Sequence, residues 1–460
     1  MDSLEKKKNK RISAVHIIPA SFLIVIIIGT LLLMLPVMSA PGRETDIITA
    51  AFTSTTSVCV TGLVVDDTYA HWSMAGQILI LILVQIGGLG VIAVGASIML
   101  VGKRRFSFGD LKLLGDSLNI EKNKELLQFL KRILRGVFLV EFIGAVLYAV
   151  RFVPMFGWKK GIWASLFQAV SAFCNAGMDV IGPNSMMDFQ DSYYLMGVTM
   201  ILIVLGGLGF VVWFDLIDTM AGRIKGRWSG GSFFDRLSVH SKLVLVMTVT
   251  LIISGTVIIF ISEFSNPGTV GGMSLPEKIL NSMFQSVTFR TAGFASIPQD
   301  KLTETTCLVG YLLMFISGSP VGTAGGIKTV TIFLVFMNAV SYINGKKENV
   351  IFHRRVSQEL MRKAAAIVFV SISAVLVMCF LLMSFEKIPL TDALYEVVSA
   401  LATVGLSRGL TPNLGAAGRI IIIISMYLGR IGPISMAFFF SKNSGTENRI
   451  YHAEGTFYVG

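Results

Sequence analysis

Apolar and polar positions alternate along this chain in long blocks, and the blocks recur. Uncharged stretches run from Ile12 to Gly42, Met74 to Gly102, Ser192 to Phe214, Leu243 to Ser262, Thr305 to Ile327 and Ala364 to Phe385. Each is long enough to cross roughly 30 Å of hydrocarbon as a helix. Two further apolar stretches carry charge: Ile133 to Val150 holds Arg135 and Glu141, and Ile420 to Ser441 holds Arg430. The pattern predicts eight spans in four pairs. Within each pair lies a segment too short and too polar to cross: Thr45 to Ser57, Gly161 to Phe173, Pro276 to Thr288 and Pro389 to Leu401. Backbone at membrane depth must be buried in protein or line water, so these four segments are expected to be re-entrant helices. Pro276-Glu277 and Pro389-Leu-Thr391-Asp392 put proline and acid where a first helical turn accepts them.

Each short segment runs into a glycine set among small and hydroxyl residues. The four strings are Thr56-Ser-Val-Cys-Val-Thr-Gly62-Leu63, Ser171-Ala-Phe-Cys-Asn-Ala-Gly177-Met178, Val287-Thr-Phe-Arg-Thr-Ala-Gly293-Phe294 and Ser399-Ala-Leu-Ala-Thr-Val-Gly405-Leu406. The glycines are 115, 116 and 112 residues apart, so one unit is written four times. Phe167-Gln168-Ala-Val-Ser171 even matches Phe284-Gln285-Ser-Val-Thr288, although the third copy is one residue shorter between that Phe and its glycine. The fold class expected is an all-α membrane protein: four span–pore-loop–span repeats, giving eight transmembrane helices and four re-entrant pore helices around a pseudo-fourfold pore. The repeats are expected at residues 1–105, 106–228 (with a cytoplasmic helix), 229–345 and 346–460. Four glycine loops around one axis are what an ion-coordinating ring of backbone carbonyls requires, since glycine lets successive carbonyls point the same way at little steric cost. Helix C-termini aimed at the centre would add partial negative charge.

The second members of the pairs repeat as well. Gly87-Gly88-Leu89-Gly90 and Gly206-Gly207-Leu208-Gly209 read as close helix packing, and the fourth copy has Gly429-Arg430-Ile431-Gly432-Pro433. The third differs. Gly318-Ser-Pro320-Val-Gly322-Thr323-Ala324-Gly325-Gly326-Ile-Lys328 should break its helix rather than kink it, and just below the glycine ring such a stretch could act as a mobile gate.

Composition agrees with a membrane protein: 53% hydrophobic, 15% charged, and a mean hydropathy of +0.72. With the N-terminus inside, 27 of the 39 lysines and arginines fall on cytoplasmic segments, which fixes N-in and C-in termini. That asymmetry accounts for most of the net +11, so no nucleic-acid partner is invoked. The first apolar stretch follows Lys6, Lys7, Lys8, Lys10 and Arg11 but is too long for the core of a cleaved signal peptide. Cys59, Cys174, Cys307 and Cys379 suggest neither a metal site nor a disulfide framework. The five histidines share no ligand spacing, the Gly-Gly-Leu-Gly strings sit at mid-membrane where a nucleotide fingerprint does not occur, and no cluster supports an enzyme. The chain is expected to bind no cofactor. A secondary transporter for an organic solute would also use broken helices, but it builds its site from unwound spans and not from four equivalent loops.

These residues resemble the Ktr/Trk/HKT superfamily of potassium transporters over nearly the whole chain. The resemblance rests on Val58-Cys59-Val60-Thr61-Gly62-Leu63, Phe173-Cys174-Asn175-Ala176-Gly177, Arg290-Thr291-Ala292-Gly293-Phe294, Thr403-Val404-Gly405, the Gly-rich Gly322 to Lys328, and Arg430. It implies potassium uptake across a bacterial cell membrane, single file, past a filter of Val60, Thr61 and Gly62, Asn175, Ala176 and Gly177, Thr291, Ala292 and Gly293, and Thr403, Val404 and Gly405, with the ion held by backbone carbonyls. It further implies an intramembrane gate of Gly318, Pro320, Gly322, Thr323, Ala324, Gly325, Gly326 and Lys328, with Arg430 beneath the filter. Trk-type members carry two extra N-terminal spans, so the expected type is Ktr. Plant relatives that prefer sodium often have serine in the first filter where this chain has Gly62. The alternative is a sodium or less selective monovalent cation transporter of the same superfamily, and sodium is also a candidate coupling or activating ion. The implied partners are a second copy of the chain and a cytoplasmic ring of Rossmann-type subunits binding adenine nucleotides. The ring would dock on the loops Lys103 to Arg135, Arg223 to Lys242 and Lys346 to Lys363 and on the tail, and the apolar stretch Tyr451 to Gly460 would pack against a neighbour. Three charges stay open. Arg290 either holds its loop from behind or repels the ion; Arg430 is either a barrier or gate-loop partner, or half of a structural ion pair; Glu141 is a candidate partner for a buried cation.

Overall fold

A computed structural model describes residues 14–91, 93–94, 96, 126–226, 232–346 and 348–432. The N-terminal basic tail, residues 103–125 of the first basic loop, the stretch beyond Gly432 and the tail Tyr451 to Gly460 lie outside the described residues. Three sets of helices begin with a long or apolar helix, follow with a short one, and end on a third. The first is α1 (Ala14–Leu33), α2 (Ile47–Cys59) and α3 (Met74–Leu89). The second is α4 (Leu126–Phe156), α5 (Trp158–Cys174) and α6 (Tyr193–Leu208), continued by α7 (Phe210–Ile224). The third is α8 (Val239–Glu263), α9 (Leu275–Thr288) and α10 (Glu304–Phe315), continued by α11 (Thr329–Ile343). A fourth set follows the same order with α12 (Gln358–Glu386), α13 (Leu390–Leu401) and α14 (Ala416–Ile431).

Helix ends follow local chemistry. Asp46 caps α2 by accepting from the Ile48 N–H at 3.0 Å, and Glu277 reaches back from the first turn of α9 to the Ser274 N–H at 2.9 Å. Among the described residues α4 (from Leu127), α8 and α12 are each long and apolar enough to cross a membrane alone, and α6 with α7 would make a fourth span bent by 98°. Helices α1, α2, α3, α10 and α11 are apolar but shorter. The outward faces are as apolar as the core, with Phe142 at 67% and Phe369 at 73% exposed, as hydrocarbon and not water demands of a surface.

One sequence expectation needs correction. Ser192 to Phe214 does not form one continuous span: the helix stops at Leu208 and Gly209 takes φ 86°, ψ 141° before α7 departs at a steep angle. Gly90 (φ 88°, ψ 132°) and Gly432 (φ 90°, ψ 149°) end α3 and α14 with nearly the same backbone. That conformation is open to glycine and strained for other residues. Beside the helices, Val350–Ile351 and Arg354–Arg355 pair as an antiparallel hairpin. Its turn residues Phe352 and His353 both have positive φ, the twist a two-residue hairpin needs.

Each third helix leans on the short helix of the next set: α3 on α5, α6 on α9, α10 on α13, and α14 back on α2. That last contact joins the two ends of the described chain and closes a ring. The glycines permit it. A Cβ added at Gly87, Gly206 or Gly429 would collide with the carbonyl of Val58, Phe173 or Leu401 respectively, each at or near the end of a short helix.

Candidate functional site: a ring of four glycine loops

Helices α2, α5, α9 and α13 all end in a loop with one backbone pattern. Val60, Asn175, Thr291 and Thr403 have φ of 56°, 59°, 69° and 51°, and the glycines two residues later, Gly62, Gly177, Gly293 and Gly405, have φ of 98°, 65°, 83° and 97°. The residue between is not left-handed in any of the four. Alternating left- and right-handed residues turn successive carbonyls toward one side, where an extended or helical segment would alternate or stack them.

The four loops meet in cyclic order. A Cβ added at Gly62 would stand 2.5 Å from the Ala176 carbonyl oxygen, one at Gly177 2.7 Å from that of Ala292, and one at Gly293 2.6 Å from that of Val404; one at Gly405 would collide with the Thr61 carbonyl. The loops of the first and last sets therefore adjoin, as do their helices. Only a residue without Cβ fits at these four points. Val60, Thr61, Asn175, Ala176, Thr291, Ala292, Thr403 and Val404 are all buried to within 1%.

Hydroxyls brace the loops from behind. Thr56 Oγ1 accepts the Gly62 N–H at 2.9 Å and Ser399 Oγ the Gly405 N–H at 3.1 Å; Ser171 Oγ accepts the Met178 N–H at 3.1 Å, and Thr288 Oγ1 donates to the Phe294 carbonyl at 2.7 Å. The missing residue of the third copy is absorbed here. Thr61, Ala176 and Val404 bond back five residues, at 2.8 Å each, whereas Ala292 bonds back four, to Thr288, at 3.0 Å. Behind the fourth loop, the buried Glu396 accepts from Ser407 Oγ at 2.8 Å and from Thr411 Oγ1, while Arg408 pairs with Asp392 at 2.8 Å. The sequence reading passed over these braces, although a hydroxyl recurs six residues before three of the four glycines and five before the other.

The segment between α10 and α11 closes under the ring. A parallel bridge joins Ile316 to Ile327 at its neck, with Ser317 N–H on the Ile327 carbonyl at 3.0 Å. Its body seats on the break in the second set: Ser319 N–H donates to Gly207 O at 2.9 Å, Thr323 N–H to Gly206 O at 3.2 Å, and Phe210 N–H to Val321 O at 2.9 Å. Thr323 Oγ1 donates to the Phe173 carbonyl at 3.1 Å, and Lys328 Nζ turns back onto the carbonyls of Ala324 and Gly325. Gly318, Pro320, Gly322 and Gly326 complete this buckle, and Gly325 lies against Thr403 of the fourth loop.

Arg430 bridges the sets without an acid. It donates to the Thr323 carbonyl at 2.7 Å and to the Gly87 carbonyl at 2.5 Å. Glu141 is not its partner: it accepts from Gln85 Nε2 at 3.2 Å and from the Cys174 thiol at 3.8 Å, just behind Asn175. Arg290 is buried beside Thr248, Val287 and Gly318, with no hydrogen-bond partner for its Nε.

A family model described as the cation transport protein TrkH matches residues 5–450. The potassium/sodium uptake protein NtpJ of Enterococcus hirae is 38% identical over 442 residues, 95% of each chain. The Ktr system potassium uptake protein B of Bacillus subtilis is 35% identical over 450 residues, 98% of this chain and 97% of that one. Among solved structures, the potassium transporter TrkH from Vibrio parahaemolyticus shares the fold, with a TM-score of 0.75 at 15% identity over 95% of this chain and 86% of that one.

Proposed function

The chain belongs to the TrkH family of cation transport proteins, and from that premise we propose that it takes up potassium across the cell membrane through the ring of glycine loops. It is a transporter and not an enzyme. The observation that carries the reading is the cyclic approach of Gly62, Gly177, Gly293 and Gly405 to the carbonyls of Ala176, Ala292, Val404 and Thr61. Carbonyls converging on one axis replace the water shell of a dehydrating cation. Among the described residues, Thr61 Oγ1, the Asn175 amide, Thr291 Oγ1 and Thr403 Oγ1 are buried in these loops without a hydrogen-bond partner. Orphaned polar atoms cost roughly 1–3 kcal/mol each, a cost that a passing ion and its remaining water would relieve.

In the same reading the molecule crosses the membrane eight times with both termini inside, α6 with α7 and α10 with α11 each counting as one broken span. The segment from Gly318 to Lys328 is taken as the gate, because Gly325 packs against Thr403 of the fourth loop and Arg430 holds the Thr323 carbonyl. A second copy of the chain, a cytoplasmic nucleotide-binding ring and a sodium requirement are the family's expectations carried to this chain. The second reading, a transporter that also carries sodium, is favoured by the Enterococcus hirae relative, whose name includes both ions. Tracer uptake into liposomes holding the purified chain tests both. Potassium uptake that sodium competes for only weakly supports the first; equal competition supports the second; no uptake of either ion sinks the proposal.

A further inference from the structure

Behind the neck of the gate segment lies an apolar cavity that cation passage does not use. It is a small recess of about 30 Å³ between α10, α12, α13 and α14, with walls that include Phe315, Ile327, Ala374, Val398 and Leu428. Its one side-chain hydroxyl, on Ser371, is turned back to the Ile367 carbonyl of its own helix at 2.9 Å, so nothing polar on a side chain is offered to an occupant. The cavity is open rather than sealed: Phe315, Ser371, Ala374 and Leu428 are all only half-buried. On α12 the same stretch continues outward into Phe369 (73% exposed), Ile372 and Leu376, which is the surface hydrocarbon covers in a membrane protein. An apolar recess continuous with that surface fills with what the surface already touches.

We propose that this recess takes the end of one acyl chain of a membrane lipid and that the chain end braces the gate segment. The wall is formed by both strands of the neck, Phe315 on the way in and Gly326 with Ile327 on the way out, and these strands are joined by the Ile316–Ile327 bridge. The body of the segment is tied elsewhere, to Gly206, Gly207 and Arg430. An occupied cavity therefore backs the neck alone, and a void there leaves the neck free to move sideways, since unfilled space forfeits the contacts that hold a wall in place. The binding claim stands without the transport reading; only the bracing depends on it.

The test uses the full chain in liposomes containing a phospholipid with a diazirine near the end of its acyl chain. After photolysis, adducts are expected on Phe315 and Leu428 as well as on the exposed Phe369. Ala374→Phe fills the cavity, and Ala374→Leu does so more mildly if the first variant misfolds. Either should remove the adducts at Phe315 and Leu428 and keep those at Phe369. Labelling at Phe369 but not at Phe315 or Leu428 in the parent chain overturns the binding site. Potassium-tracer flux in short-chain and long-chain lipid supplies the second readout. Flux in the parent should change severalfold between the two lipids while the filled variant stays level; equal lipid dependence in both would overturn the brace and leave the binding result standing. Absence of flux in the parent would tell against the transport reading without touching the adducts.

Discussion

At Gly62 two separate constraints fall on one atom. Its φ of 98° strains any side chain, and a Cβ there would meet the Ala176 carbonyl at 2.5 Å. Gly62→Ser should therefore displace a carbonyl of the neighbouring loop, with strain of order 1–3 kcal/mol, and cut the preference for potassium over sodium by about tenfold or more. Competition of the two ions for tracer uptake measures this, and an unchanged ratio counts against the ring as the selective element. Thr56 offers a subtler perturbation. Thr56→Val keeps the shape but leaves the Gly62 N–H without the acceptor it has at 2.9 Å, a loss of roughly 1–3 kcal/mol. Lowered thermal stability with weakened selectivity is expected, and Thr56→Ser should restore both; a Ser variant as impaired as Val would mean that the methyl group and not the hydroxyl matters. The glycines were legible because nothing else explains them at a constant spacing. The hydroxyls were not, because Ser and Thr are common in apolar helices, where they bond to their own carbonyls, as Thr55 and Ser57 also do here.

At the scale of the element, the broken helix of the third set announced itself through glycine and proline density, whereas the break at Gly209 did not. Gly-Gly-Leu-Gly serves close packing and helix ending with the same letters: Gly206 lies against the Phe173 carbonyl, while Gly209 adopts a positive φ. Composition cannot separate those uses; the backbone angle does. The gate segment is held by hydrogen bonds to carbonyls rather than by ion pairs, and Arg430 supplies one of them at 2.7 Å. A charge at bilayer depth costs at least about 2.5–3.5 kcal/mol, so its two carbonyl bonds compensate the residue as well as the loop. Arg430→Ala should release Thr323, remove a positive charge from beside the Gly318 to Lys328 segment, and raise potassium flux in the absence of any regulator. Arg430→Lys can satisfy only part of that geometry and should fall between. Lower flux from a variant that elutes as folded protein would favour a purely structural arginine. Shortening Gly318 to Lys328 should act in the same direction as Arg430→Ala, because both remove the barrier.

For the whole molecule, the fourfold repetition and a ring of loops were legible in the spacing of four strings, but the contact that closes the ring was not, because it is α14 meeting α2 across almost the entire chain. Closure also has a consequence for control. The segment from Gly318 to Lys328 touches three places in two other sets: the break between α6 and α7, the Thr403 loop, and Arg430 on α14. A cytoplasmic partner that shifts any of these helices changes what the segment bonds to, and a regulator works only through such a difference between two states. Coupling of this kind usually amounts to about 1–3 kcal/mol, or roughly 5–150-fold in an equilibrium. If the proposed cytoplasmic ring acts in this way, flux through the chain assembled with it should change within that range when adenine nucleotide is exchanged. If the segment carries the coupling, Arg430→Ala must raise the unregulated flux and shrink the nucleotide response together, because a loop already released has less left to lose. A variant whose flux rises while its nucleotide response keeps the full parental ratio would separate the gate from the regulator and place the control elsewhere along the path.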